Sequence, residues 1–393
     1  MPASIFKRSA LAALIVGVLA LALAACGGGG SSSSGGTGET EVTGSEATKS
    51  ETGGSSGGAD VAAAKKVIAP YIGQPSPFPV TEKLKEVPTG AKIAYMNCGA
   101  PVCAIFYEGM SAAAKTMGVE VVNLKAGTAA NTVASAFDTA VTGDFQAVVV
   151  TAIPIELWSK QLKELQANEV PVITTGVTGT EQYGVESPQV AEPMDAFMGE
   201  LMANYAIAEF SPSTNYVYYN VPELPFSNLI EEKVKEVLSE KCPECSLRTA
   251  KVPVAQLGNT APNTVVSDLQ ANPETEVAIL STEEIGIGLA PALKTAGIEV
   301  KTIGQTPTPP NLEALKKGEQ TSALGVDIAV LSWTLLDQAA REIVGQPLSG
   351  SEAEGLSVVQ FLTQEDITFD PSKGWTGYPE FPEKFAKLWG VGG

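Results

Sequence analysis

The chain is 393 residues long, with 44 acidic against 25 basic residues, a formal net charge of −19 and no histidine. That balance excludes a nucleic-acid binder, whose phosphates need a basic footprint, and argues against flat adsorption on anionic lipid. The missing histidine removes His-based triads, His-containing zinc sites and the commonest general base.

Lys7 and Arg8 precede an apolar run from Ala10 to Ala25 that only Gly17 interrupts. The run is shorter than the ~20 apolar residues of a bilayer-spanning helix and ends in small residues, so residues 1–25 have the layout of a secretory signal. Leu23-Ala24-Ala25-Cys26 resembles the bacterial lipobox. That resemblance implies cleavage before Cys26 and acyl chains on its sulfur and new amino group; the alternative is an ordinary signal with an incidental cysteine. From Gly27 to Gly58 the chain is almost all Gly, Ser, Thr and Glu, with Val42 the one large apolar residue. Such a segment cannot offset the entropy of ordering, and 26–60 is expected to be a tether with a mean reach of ~30 Å.

The remaining ~330 residues are too many for one small core and comfortable for two lobes. From Lys92 an alternation of strands and helices begins: KIAYMN (92–97), a helix over 105–118, VEVVNL (119–124), a helix over 130–143, FQAVVVTA (145–152), a helix over 155–169 and VPVITTG (170–176). Val- and Ile-rich runs with little polar alternation mean strands buried on both faces, and helices between them mean parallel pairing. A helix from Pro193 to Phe210 leads to a second series. Its strands are 215–221, 246–254, 276–282 and 300–305, with helices at 228–240, 263–273, 290–297 and 311–318. An extended segment at 322–328, a returning helix at 332–345 and a last strand at 356–363 follow. The fold expected is α/β: two doubly wound parallel-sheet lobes joined by a hinge. The expected boundaries are 61–192 with 326–352 for the N-terminal lobe and 193–325 with 353–369 for the C-terminal lobe. Residues 370–393, rich in proline and aromatics, form a tail expected to pack onto a lobe.

Besides Cys26 there are four cysteines, an even number in an exported chain. Sequence proximity favours disulfides Cys98–Cys103 and Cys242–Cys245. A four-thiolate metal site and a redox role for the CPEC at 242–245 are the rival readings; no cofactor or metal is expected.

In open α/β sheets, ligands bind beyond the carboxyl ends of the strands. Two facing lobes therefore nominate Asn97, Pro101, Val102, Thr151, Thr175 and Gly176 on the first, and Asn220, Glu223, Phe226, Thr282, Glu283 and Thr306 on the second, with Asp327 at the return between them. Several have plainer roles open to them: the threonines as caps or strand ends, Asp327 as an N-cap or hinge contact, Glu223 as a solvated charge, Phe226 as core.

Signal, tether and two βα series together resemble a type I periplasmic binding protein of the ribose/galactose class, over roughly Ala91 to Asp366. FYEGMSAAAKTMG fits that family's first helix, VPVITTG its fourth strand, and the returning helix with LSVVQFLTQEDI its closing pattern. The resemblance implies a non-enzymatic solute receptor of an ATP-driven (ABC) importer, monomeric and held at the outer side of the cell membrane, with a small-molecule ligand and a permease as partners. The chain departs from the sugar binders of that class. Val102 and Cys103 stand where they carry an aromatic pair, Gly176 and Val177 where they carry Asp-Arg, Thr282 and Glu283 where they carry Asn-Asp, and Thr306 where they carry Asp. This implies a polyol, a modified sugar or a small, partly apolar metabolite. A ligand sensor or adhesion module on the same fold is the alternative. A tethered hydrolase is disfavoured by the absence of GxSxG, P-loop and GxGxxG motifs.

Overall fold

The computed structural model describes residues 59–185, 188–211 and 215–392; the expected signal, Cys26 and nearly all of the tether lie outside them. In chain order the first half holds α1 (Val61–Ile68), β1 (Lys92–Asn97), α2 (Pro101–Met117), β2 (Glu120–Lys125), α3 (Ala130–Thr142), β3 (Ala147–Thr151), α4 (Ser159–Ala167) and β4 (Val172–Thr175). The second half holds α5 (Glu192–Phe210), β5 (Asn215–Asn220), α6 (Pro225–Lys241), β6 (Ser246–Lys251), α7 (Ala261–Ala271), β7 (Val277–Leu280), α8 (Leu289–Ala296), β8 (Lys301–Gly304) and α9 (Pro309–Lys316). β9 (Ala323–Val326), α10 (Ile328–Ile343), α11 (Gly350–Ala353), β10 (Val359–Leu362) and α12 (Phe381–Trp389) complete it.

Two parallel sheets have the same strand order, β2-β1-β3-β4 and β6-β5-β7-β8. The central strands β3 and β7 are buried along their whole length, as their unbroken apolar runs require. Helices cover both faces, so each sheet carries two cores. On the first sheet one core gathers α2 and α10 and the other α3 and α4; on the second, one gathers α5 and α6 and the other α7 and α8. β9 and β10 pair antiparallel, and a parallel bridge from Gln305 to Leu324 joins β9 to the β8 edge.

The helices α2, α6, α7 and α9 start two to four residues earlier than the apolar periodicity places them, each with a proline in its first turn. Proline lacks the N–H that a first turn leaves unpaired and has its φ already set, so it opens the helix before any apolar stripe is visible. One assignment is corrected. Residues 61–68, expected in the N-terminal lobe, form α1, which packs against α5 and α6 of the second lobe, with Asp60 N–H donating to Lys241 O at 2.7 Å. The tail does pack: Phe385 and Trp389 of α12 lie against Trp333 and the α2 face of the first lobe.

Three chain segments cross between the lobes, around Val190, Val326–Ile328 and Gly355–Val359. They hydrogen-bond to one another, Val190 N–H to Gly355 O at 3.0 Å and Asp327 N–H to Val358 O at 2.9 Å. Gly355 has φ +69°, and a Cβ there would lie 2.4 Å from Pro188 O, so only glycine lets these crossings touch.

Candidate functional site

Where the strand tips of the two sheets face each other they line a cavity of about 70 Å³. Thr151 ends β3 and Ala152 follows it, Thr175 ends β4 and Gly176 follows it, Thr282 follows β7, Gln305 and Thr306 follow β8, and Val326 ends β9. The first two turns of α2, α5, α6 and α10 add Val102 and Phe106, Asp195 and Met198, Phe226, and Ile328 and Leu331. Most of this lining is apolar. Of the four non-glycine residues at positive φ among the described residues, three line this cavity: Ala152 (+50°), Val190 (+47°) and Thr306 (+60°). Such conformations cost of order 1–3 kcal/mol each and persist only where the surroundings impose them, which is common at ligand clamps.

The lobes touch across the cleft. Glu284, in the short turn after β7, accepts a hydrogen bond from Val102 N–H at the start of α2 on the opposite lobe, 2.7 Å to Oε1. The carboxyl is almost fully buried, and that burial pushes its pKa up to about 7. The amide at this helix N-terminus is thus already occupied by a carboxyl of the chain itself. Cys98 and Cys103 bracket the same turn and are joined, S–S 2.08 Å, as are Cys242 and Cys245, S–S 1.84 Å. Among the described residues no cluster of three or more metal-ligating side chains forms. Phe226 of the second lobe lies against Gly176 of the first, where a Cβ would come 3.7 Å from its ring.

Seven of the thirteen nominated residues line the cavity: Val102, Thr151, Thr175, Gly176, Phe226, Thr282 and Thr306. The other six do not. Asn97 Oδ1 is used locally by Gly99 N–H at 2.9 Å. Pro101 opens α2 and packs towards Gly258. Asn220 is tied to α6 by Asn228 at 3.0 Å and Glu231 at 2.5 Å. Glu223 is exposed to solvent. Glu283 turns under β8, where it accepts from Gln320 at 2.6 Å and Asn311 at 3.3 Å, and burial pushes it up to about 8. Asp327 caps α10 through Val330 N–H at 3.0 Å. Its second oxygen holds the tail through Thr376 Oγ1 at 2.8 Å and Gly377 N–H at 2.9 Å, while burial pushes its pKa up to about 6. Polar residues at strand tips were nominated by position alone, and position does not say which way a side chain turns.

Asp195 lines the cavity without lying at a strand tip. Asp195 stands one turn into a helix expected only to connect the lobes. Its one sequence signal is an acidic residue on the apolar stripe of α5, between Met194 and Met198. Its side chain is fully buried and neither oxygen has a hydrogen-bond partner.

Two wound lobes, three interwoven crossings and a cavity at the facing strand tips define a solute-binding protein of the hinged, two-lobe kind. The family model for the periplasmic binding protein domain matches residues 93–347, and the chain belongs to that family, whose members act outside the cytoplasm. Solved structures share the fold. The 5-methylthioribose transporter solute binding protein of Thermotoga lettingae, in complex with 5-methylthioribose, is 14% identical with a TM-score of 0.63 over 78% of this chain and 99% of its own. A carbohydrate transporter from Acidothermus cellulolyticus in complex with myo-inositol is 15% identical, TM-score 0.62, over 75% and 99%. The Caulobacter myo-inositol binding protein is 19% identical, TM-score 0.60, over 71% and 94%. At these identities the likeness is one of fold. No curated protein matches the chain in sequence.

Proposed function

We propose that the protein is the solute receptor of an ATP-driven importer, anchored to the membrane through a lipidated Cys26 and acting as a monomer. It captures one small molecule between its lobes by hinge closure and hands it to a permease without chemical turnover. In this reading the bodies that move are the two βα series, with residues 61–68 riding on the second. The observation that carries it is the interlobe cavity itself: it is lined from both lobes by strand-tip residues, and two of these, Ala152 and Thr306, are held at positive φ together with Val190 of a crossing segment. An apolar lining broken by a few hydroxyls, the Gln305 amide and the Asp195 carboxyl suits a ligand with an apolar frame and few polar groups. A fully hydroxylated hexose would leave most of its hydroxyls unpaired.

The test is a thermal-shift screen against a metabolite library. One ligand at a hundred times its Kd should add about 2.7 kcal/mol of stability and be recovered unchanged. A hit that is consumed, or a library without hits, defeats the reading. Replacing Cys26 with serine should move the protein from the membrane fraction to the soluble one; retention on the membrane defeats the lipid anchor.

A further inference from the structure

Asp195 carries an inference that rests on the receptor reading and sharpens it. The residue lies in the first turn of α5 and lines the cavity, is inaccessible to solvent, and has no hydrogen-bond partner on either oxygen. A carboxyl buried without a partner is among the costliest groups a protein can hold, so a fold that keeps one at a binding cleft has a use for it. No donor among the described residues reaches either oxygen. No lysine or arginine lines the cavity. Of the polar lining groups, one Gln305 N–H donates to Ser281 O at 2.9 Å and the Thr306 hydroxyl is turned onto Gln305; none of them bonds to Asp195. A ligand that carries a donor into the cavity would satisfy Asp195.

The character of that donor follows from the rest of the lining. Phe106 and Phe226 contribute aromatic rings to the same cavity. Aromatic faces beside a buried carboxylate attract positive charge and offer nothing to an anion. Glu284, which joins the lobes at Val102, adds a second buried acidic group near the cleft and further disfavours an anionic ligand. The overall charge of −19 draws cations towards the protein as a whole.

We propose that the ligand presents an amine or other cationic group to Asp195, carried on an apolar frame that rests against Phe106 and Phe226. Desolvation, reinforced by Glu192, raises the pKa of the Asp195 carboxyl and favours its protonated form in the ligand-free protein. When an ammonium docks, Asp195 ionises to pair with it and the carboxyl proton passes to solvent. The ion pair, formed out of water, is the specificity element that replaces the charged residues missing from Gly176, Val177 and Thr306.

The experiment titrates the full chain by calorimetry with matched probes, cyclohexylamine against cyclohexanol and glucosamine against glucose, with myo-inositol as a neutral polyol. Titrations are run at pH 7 in two buffers of different ionisation enthalpy. The expected result is that the amine of at least one pair binds at least tenfold tighter than its neutral partner. Buffer-dependent heats should show proton release, and Asp195→Asn should abolish both. Proton release is read on the unmodified protein, so the result stands even where the variant folds poorly. Equal or tighter binding of the neutral probes, or a preference that Asp195→Asn leaves intact, overturns the inference while the receptor reading stands. Absence of binding by every probe and by every member of the metabolite library overturns both.

Discussion

Asp337 and Asp195 are both fully buried, and the protein treats them in opposite ways. On α10, Asp337 is paired on both oxygens: Arg341 Nε donates to one at 2.5 Å, and Trp389 Nε1 of the tail donates to the other at 2.5 Å. Glu352 stands 3.6 Å from the same guanidinium, and Arg341 also donates to Glu82 O at 2.6 Å. This network ties the returning helix, the tail and the segment before β1 into one rigid corner of the first lobe. At the cleft Asp195 has none of this, though it is equally dry. Full pairing ties Asp337 to stability, whereas the unpaired Asp195 is the group proposed above to serve recognition.

That contrast breaks most easily at the paired site. Asp337→Ala strands Arg341 and the Trp389 indole, and is expected to cost about 3–5 kcal/mol in a denaturant melt while leaving ligand affinity of the folded protein unchanged. A loss under about 1 kcal/mol would show that the corner is not the anchor its geometry implies.

The cleft answers to pH. Glu284 has its pKa raised by burial from 4.5 to about 7, so the closed protein binds this proton more tightly than the unfolded chain does. The stability it contributes is fully present below about pH 4.5 and is lost as pH rises to about 7, a swing of ~3 kcal/mol. Glu284→Gln keeps the acceptor for Val102 and removes the titration. Thermal melts at pH 5 and pH 8 should therefore differ less for the variant than for the wild type. An identical pH slope in the two proteins would remove Glu284 from the account.

The disulfide beside that contact has a smaller expected effect. Replacing Cys98 and Cys103 together with serine opens a short loop, and by loop-closure entropy should cost ~2 kcal/mol. It should also weaken ligand binding, because the Val102 amide that donates to Glu284 loses its brace. A stability loss with unchanged affinity would confine the disulfide to the fold. Least costly is Lys384→Ala on the first lobe. Its ammonium lies 5.5 Å from the Phe78 ring and 5.7 Å from the Tyr378 ring, and its removal should cost ~0.5–1 kcal/mol without touching binding.

Much of the architecture was legible in the residues. Buried strands such as Val148–Val150 announce themselves because both faces are covered, and glycines after α2 and α8 mark helix ends through their left-handed φ. The short α1 and the tail helix α12 were not placed, since proline-rich flanks hide a two-turn helix whose formation depends on what it packs against. The site was half legible. Strand tips locate the cleft, but the roles of Asn220, Glu283 and Asp327 are decided by partners 8 to 50 residues away, such as Asn228, Gln320 and Gly377. Asp195 was hidden for the opposite reason: what distinguishes it is the lack of a partner, which a linear sequence does not display.

The placement of α1 on the second lobe and of α12 on the first gives the described chain two handles on different bodies. A dye placed on Lys65 travels with one lobe and a dye on Lys387 with the other, so the distance between them is a direct gauge of how far the jaws swing. It needs no knowledge of what they close upon. A pull applied through the chain ahead of Ala59 is likewise borne by the second lobe, which leaves the first as the part that moves when that end is held.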